Sequence, residues 1–216
     1  MRLGPGEELT VTDGSGLVAR CEIVAAAAGR VRARVLERTR GLARPPEIAV
    51  YQGAPKGTKS DVVVERLAEI GVHELRFFDS RRVVARWGPA RRARLAQRWE
   101  ALASAAAKRA RNAYVMHVMD PGAGMGWEEM VAGVKSEPHA IVLWEEAGAP
   151  LRSALPATPG RIALVVGPEG GLDAGEVREL HDAGAALASL GPLILRTESA
   201  ALVAVTALLW HFGRIG

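Results

Sequence analysis

Two apolar segments of this 216-residue chain each run directly into a Gly-Pro loop, and each loop opens a helix. The first is Arg161-Ile-Ala-Leu-Val-Val followed by Gly167-Pro168-Glu169-Gly170-Gly171 and Asp173. The second is Ala186-Leu-Ala-Ser-Leu190, then Gly191-Pro192-Leu193-Ile194-Leu195 and Arg196-Thr197-Glu198. An unbroken apolar run reads as a strand buried on both faces, which is the habit of a parallel sheet covered by helices. In such sheets ligands bind at the carboxyl ends of the strands. Two loops of matched design at two strand ends therefore point to one built site.

The rest of the chain divides in two. Over residues 8–37, Leu9–Val11, Leu17–Ala26 and Val31–Glu37 read as short strands separated by Asp13-Gly14-Ser15-Gly16 and Gly29, the turn chemistry of hairpins. Thr39 to Pro46 reads as a linker stiffened by paired prolines. From Glu47 onward strands and helices alternate: Ile48–Tyr51, a helix over Ser60–Ile70 ended by Gly71, Leu75–Phe78, a long Arg- and Ala-rich helix over Pro89–Arg111, a helix over Trp127–Val134 and Ala140–Trp144. Ile162–Val166, Asp173–Ala183, Ala186–Leu190 and Thr197–Phe212 complete the series. Alternation of this kind predicts an α/β fold with a mostly parallel sheet and helices on both faces. The expected division is a β-domain over residues 1–42 and an α/β domain over 47–216.

Charge is lopsided. Residues 30–112 carry 20 Lys+Arg against 8 Asp+Glu, and the remainder carry 8 against 16. A basic half joined to an acidic half suggests a polyanionic partner, with a solvated Arg-rich face as the bland reading. Cys21 is the single cysteine, and the five histidines, at 73, 117, 139, 181 and 211, stand at no metal-ligand spacing, so no metal is expected. No apolar run reaches the roughly 18 residues of a membrane span, and no signal-peptide pattern opens the chain, so the expected location is the cytoplasm, with no membrane partner. Trp87, Trp99, Trp127, Trp144 and Trp210 read as core residues.

In the first loop, Asp173 with Glu176 three residues on forms a capping box. A phosphate site is disfavoured by the Glu169 carboxylate and by the absence of a Gly-Lys-Ser/Thr sequence; that carboxylate suits a cation or hydroxyl donors. The second loop is unusually apolar and is expected to be buried, its backbone groups bonding the edge of a flat ligand such as adenine. Thr197 is the expected N-cap of the last helix, with Arg196 and Glu198 beside it.

Together, Gly167-Pro-Glu-Gly-Gly-Leu and Leu190-Gly-Pro-Leu-Ile-Leu-Arg-Thr-Glu-Ser-Ala resemble the RsmE family of ribosomal RNA methyltransferases, within the SPOUT superfamily. Ala54-Pro55-Lys56-Gly57, Glu65-Arg66 with Glu69-Ile70-Gly71-Val72, Arg81 before Val83-Val84, and the N-terminal Leu3-Gly-Pro-Gly-Glu-Glu-Leu extend the resemblance over nearly the whole chain. It implies a trefoil-knotted α/β domain, a small PUA-like β-domain, a homodimer, S-adenosylmethionine as cofactor, and methylation of uridine N3 in 16S rRNA or the small ribosomal subunit. The cofactor residues it implies are Leu143, Gly167, Pro168, Glu169, Gly170, Gly171, Leu190, Gly191, Leu195, Arg196 and Ala200. Arg196 and Glu198 are the catalytic candidates. Lys56, Arg66, Arg81, Arg82, Arg109 and Arg111 are the candidates for RNA contact. The chain departs from the family pattern at its start, where the β-domain is short of one or two strands, and at Ala105, Arg109-Ala110 and Met116-His117. Ribose 2′-O-methylation and a non-catalytic ribosome-assembly role are the alternatives on the same fold, with a nucleotide-dependent enzyme as a third.

Overall fold

The computed structural model describes residues 4–41, 46–81, 88–119 and 125–216. Arg82, Trp87 and residues 42–45 of the expected linker lie outside them.

The N-terminal segment forms an antiparallel sheet of β1 (Glu8–Thr12), β2 (Leu17–Ala27) and β3 (Arg30–Arg40), in that order. The β1–β2 turn is built by Asp13, whose carboxylate accepts the backbone N–H groups of Ser15 (2.8 Å) and Leu17 (3.0 Å). Ala19, Cys21 and Ile23 point inward and are buried, whereas β3 is exposed along its whole length. Thr39 and Arg40 finish β3, paired with Val18 and Leu17, rather than opening a linker; ladder pairing with β2 overrides the local composition. The small sheet docks through Gly14 and Gly16, whose backbones bond Val115 and Ala113.

The larger sheet holds β4 (Glu47–Gly53), β5 (Glu74–Phe78), β6 (His117–Met119), β7 (Ala140–Leu143), β8 (Arg161–Val166) and β9 (Ala186–Ala188). Its order is β6-β5-β4-β8-β7-β9, and every pairing is parallel. Strand alternation divides the core. Ile48 and Val50 of β4 pack with α1 (Lys59–Ile70), α2 (Pro89–Arg109) and α5 (Thr197–His211); Ala49 and Tyr51 pack with α3 (Trp127–Ser136) and α4 (Ala174–Asp182). The expected α/β architecture is thus present, with helices on both faces. β6 carries no sequence signal, since three residues are too few for a period; it exists by pairing with β5. Gly71 closes α1 in the left-handed conformation (φ 91°), as its position predicts.

After β9, at the sheet edge, Ser189 bonds Ala149 and Leu151 in the segment joining β7 to β8. The chain then returns to the middle of the sheet, where α5 packs on α1, β4 and β8. This doubling back beside a neighbouring connection is in keeping with the expected knotted fold.

At the opposite end of the strands, His73 holds β4 by accepting the Ile48 N–H on Nδ1 (3.2 Å). Burial pushes the His73 imidazole below its ordinary 6.5, against an opposing pull from Glu47. The folded state therefore binds fewer protons than the unfolded one, so this contribution is complete above pH 6.5 and is lost as pH falls below it. We expect the melting temperature to drop from pH 7 toward pH 5, and His73→Gln to flatten that slope while lowering the pH 7 value.

Candidate functional site

The carboxyl ends of β7, β8 and β9 and the start of α5 enclose a cavity of about 540 Å³, within the size range of small-molecule sites. Every cofactor candidate lines it except Gly170, which lies in the same turn. That turn is closed by the Gly171 N–H bonding the Pro168 carbonyl (2.9 Å), with Gly171 at φ 69°. Asp173 then caps α4 in a full capping box with Glu176. Glu176 is completely buried; its carboxylate accepts the backbone N–H groups of Asp173 (2.9 Å) and Arg81 (2.6 Å), tying α4 to the end of β5.

The Glu169 carboxylate has partners within the protein. It accepts the Lys56 N–H (3.0 Å) and pairs with the Lys59 ammonium (3.0 Å) at the start of α1. Burial acts to raise its pKa, but these two donors outweigh burial and hold it below the usual carboxylate range. Lys59 also lines the cavity, as do Trp144 and Glu145, which follow β7. These three were missed in the sequence. The same strand-end rule that singled out the Gly-Pro loops would have found Trp144 and Glu145; Lys59 depends on a contact across the sheet.

The second loop departs from expectation. Leu193 and Ile194 are 77% and 89% exposed instead of buried. They stand out from the sheet as one wall of the cavity, and nothing in the described chain covers them. Thr197 is not the N-cap. Arg196 takes that position in extended backbone (ψ 148°), and Thr197 starts the helix. The Thr197 hydroxyl instead donates to the Gly167 carbonyl (2.6 Å) and accepts from Gln52 Nε2 (2.7 Å).

Arg196 lines the cavity, is exposed, and makes no ion pair among the described residues. Glu198 is half-buried on the first turn of α5, does not line the cavity, and has a buried Oε2 with no hydrogen-bond partner. The candidate RNA residues are dispersed and partly neutralised. Arg66 pairs with Glu69, Arg109 with Glu65, and Arg81 with Glu179 while lying 5.9 Å over the Trp127 ring. Lys56 and Arg111 are exposed. Trp99 is fully buried, as expected, but Trp210 is 70% exposed and is not a core residue. Among the described residues no three His, Cys, Asp or Glu side chains cluster as metal ligands, and no described helix is long and apolar enough to cross a membrane.

The cavity's chemistry fits an adenosyl cofactor. The apolar wall of Leu193, Ile194 and Leu195 suits a purine face, and Gly167, Gly171 and Gly191 line the cavity with no side chain in the way. At Gly171 a Cβ would come within 3.3 Å of Glu145 Oε1, so the carboxylate sits hard against the loop.

Comparison with known proteins agrees with this arrangement. Residues 43–209 match the model of the RNA methyltransferase domain, and residues 1–36 that of the RNA methyltransferase PUA domain. The chain is 37% identical over 210 residues to the ribosomal RNA small subunit methyltransferase E of Mycobacterium bovis, covering 95% of this chain and 79% of that one. It is 28% identical to the Bacillus subtilis protein of the same name, covering 96% and 83%. The fold is shared with the Neisseria gonorrhoeae ribosomal RNA small subunit methyltransferase E bound to S-adenosyl methionine (TM-score 0.85, 24% identity, 98% of this chain and 86% of that one). By sequence and by fold, this chain belongs to the RNA methyltransferase family.

Proposed function

We propose that this chain is an S-adenosylmethionine-dependent methyltransferase acting on N3 of a uridine in 16S ribosomal RNA. The observation that carries this reading is the cavity at the carboxyl ends of β7, β8 and β9, walled by Leu193 and Ile194 and flanked by Arg196, which makes no ion pair among the described residues. The family and the small-subunit rRNA methyltransferase relatives support it.

In this reading the Gly167–Gly171 and Leu190–Leu195 backbones and Leu143 hold the adenosyl group, with Glu145 available to its ribose hydroxyls. S-adenosylmethionine supplies the methyl group as an electrophilic sulfonium. The protein's own task is to hold the base in line and exclude water. Uridine N3 becomes a competent nucleophile only when its proton leaves, and negative charge then spreads over the base carbonyls. The Arg196 guanidinium is the group placed to stabilise that charge. We assign Glu198 the orienting role, for which its unpartnered Oε2 is available.

Residues 1–42 are assigned to RNA docking and 47–216 to catalysis. Lys56 and Arg111 remain exposed for phosphates, and Arg66, Arg81 and Arg109 would exchange their carboxylate partners for RNA. Arg82 belongs to the same set. The exposed Leu193, Ile194, Val203 and Trp210, the last two seven residues apart on α5, support a homodimer, because uncovered apolar surface of this kind marks an interface. A cytoplasmic location belongs to the same reading.

The test is methyl transfer from labelled S-adenosylmethionine to 16S rRNA or small subunits lacking the modification, with nucleosides resolved after digestion. N3-methyluridine is the expected product. A ribose 2′-O-methyl nucleoside would reassign the acceptor, and cofactor binding without transfer would favour an assembly role. Affinity for the RNA is expected to fall steeply with added salt.

A further inference from the structure

Gln52 sits at the end of β4, completely buried, and does not line the cavity. Its Nε2 donates to Thr197 Oγ1 at 2.7 Å and lies 3.5 Å from the Gly167 carbonyl and 3.3 Å from that of Gly53. Thr197 Oγ1 in turn donates to Gly167 O at 2.6 Å. A strand, the first Gly-Pro loop and the helix that follows the second loop thus meet at one hydroxyl. The three partners are 145 and 30 positions apart in the chain.

The orientation of the Gln52 amide follows from its partners. Turned the other way, Oε1 would accept from Thr197, the Gly167 carbonyl would lose its hydroxyl donor, and Nε2 would lose its short bond. As placed, the only atom of the Gln52 amide and the Thr197 hydroxyl left without a partner is Oε1. A buried amide oxygen with no donor is destabilising. The amide is therefore poorly explained as a stability device, and an apolar side chain of the same length would suit the site at least as well.

We propose that Gln52 is a positioning residue for cofactor binding: through Thr197 it latches the two Gly-Pro loops at a fixed separation and so presets the cavity for the adenosyl group. The inference rests on the cofactor reading given above. Thr197 lines the cavity and Gln52 does not, so Gln52 acts through Thr197. Unlatched, the second loop keeps its tie through Ser189 to the β7–β8 connection but loses its fixed distance from the first loop, and the binding-competent arrangement becomes a minor state; apparent affinity falls by that fraction.

Binding of S-adenosylhomocysteine to the full chain, followed by calorimetry beside a thermal melt, tests this. Gln52→Met removes the amide and its orphan oxygen at nearly constant length. Its melting temperature is expected to stay level or rise while affinity weakens about tenfold. Thr197→Val is expected to weaken binding similarly, Thr197→Ser to retain it within about twofold, and the double variant Gln52→Met/Thr197→Val to be no weaker than the worse single, since both break one link. Wild-type affinity in a folded Gln52→Met protein would overturn the latch, as would losses that multiply in the double variant. If Gln52→Met fails to fold, the contrast between Thr197→Val and Thr197→Ser decides: equal affinities overturn the latch. Absence of binding by the unmodified chain would overturn the cofactor reading itself, a result separate from any variant's behaviour.

Discussion

Replacing Gly53 with alanine is expected to abolish cofactor binding and to destabilise the protein by about 3 kcal/mol or more. A Cβ on Gly53 would stand 2.4 Å from the Pro168 nitrogen, 2.5 Å from its Cδ and 2.9 Å from the Gly167 carbonyl carbon. Two of these atoms are backbone and the third belongs to a rigid ring, so none can swing aside as a flexible side chain would. Relief requires β4 and the first Gly-Pro loop to separate. That movement pulls Gly167 from Thr197 and distorts the cavity wall. Gly148→Ala is the control, because a Cβ there meets nothing within 4 Å. A fall in melting temperature with lost S-adenosylhomocysteine binding for Gly53→Ala, and near-normal behaviour for Gly148→Ala, is the expected pair of results. Normal binding by Gly53→Ala would mean that the loop's position is not what forms the site.

Arg196→Ala is expected to lower the rate of methyl transfer by two to three orders of magnitude, the usual consequence of removing one donor to developing negative charge. S-adenosylhomocysteine affinity should change far less, because the adenosyl group rests on the loop backbones and the apolar wall. The reason for the asymmetry is structural. Arg196 lies at the cavity wall with no carboxylate among the described residues to neutralise it, so its charge is directed to whatever enters. Arg196→Lys is expected to recover only part of the rate, since a point charge replaces a planar fork. Equal losses of affinity and rate would reassign Arg196 as a clamp on the cofactor, and full turnover by Arg196→Ala would remove it from the mechanism.

Much of this site was legible in the chain because it is locally encoded. The Gly167–Gly171 turn, the Asp173–Glu176 capping box and the Gly71 terminator each involve residues within four positions of one another, and their residue types have few other uses. The errors arose where local chemistry was ambiguous. Thr197 has the side chain of an N-cap, yet its hydroxyl is taken by Gly167 and Gln52, leaving the cap position to Arg196. Leu193 and Ile194 have the composition of buried residues, but the loop leaves the sheet at an edge where no described element covers them. The basic segment suggests a polyanionic partner, but composition does not show which of its charges are already paired. In the fold, Arg66, Arg81, Arg98 and Arg109 each meet a carboxylate, and only Arg66 finds it on its own element.

By itself the sequence determined the alternation of strands and helices, the parallel habit of the apolar strands and the placement of the glycine loops at their carboxyl ends. These depend on periodicity and on interactions a few residues long. Tertiary structure alone decided that β4 lies beside β8, and with it the close approach of Gly53 to Pro168, the Lys59–Glu169 ion pair 110 positions apart and the Gln52–Thr197 bond 145 positions apart. Strand order in a parallel sheet is set by which helices can cover which face, not by order along the chain. Contacts across it therefore leave no periodic trace in the sequence.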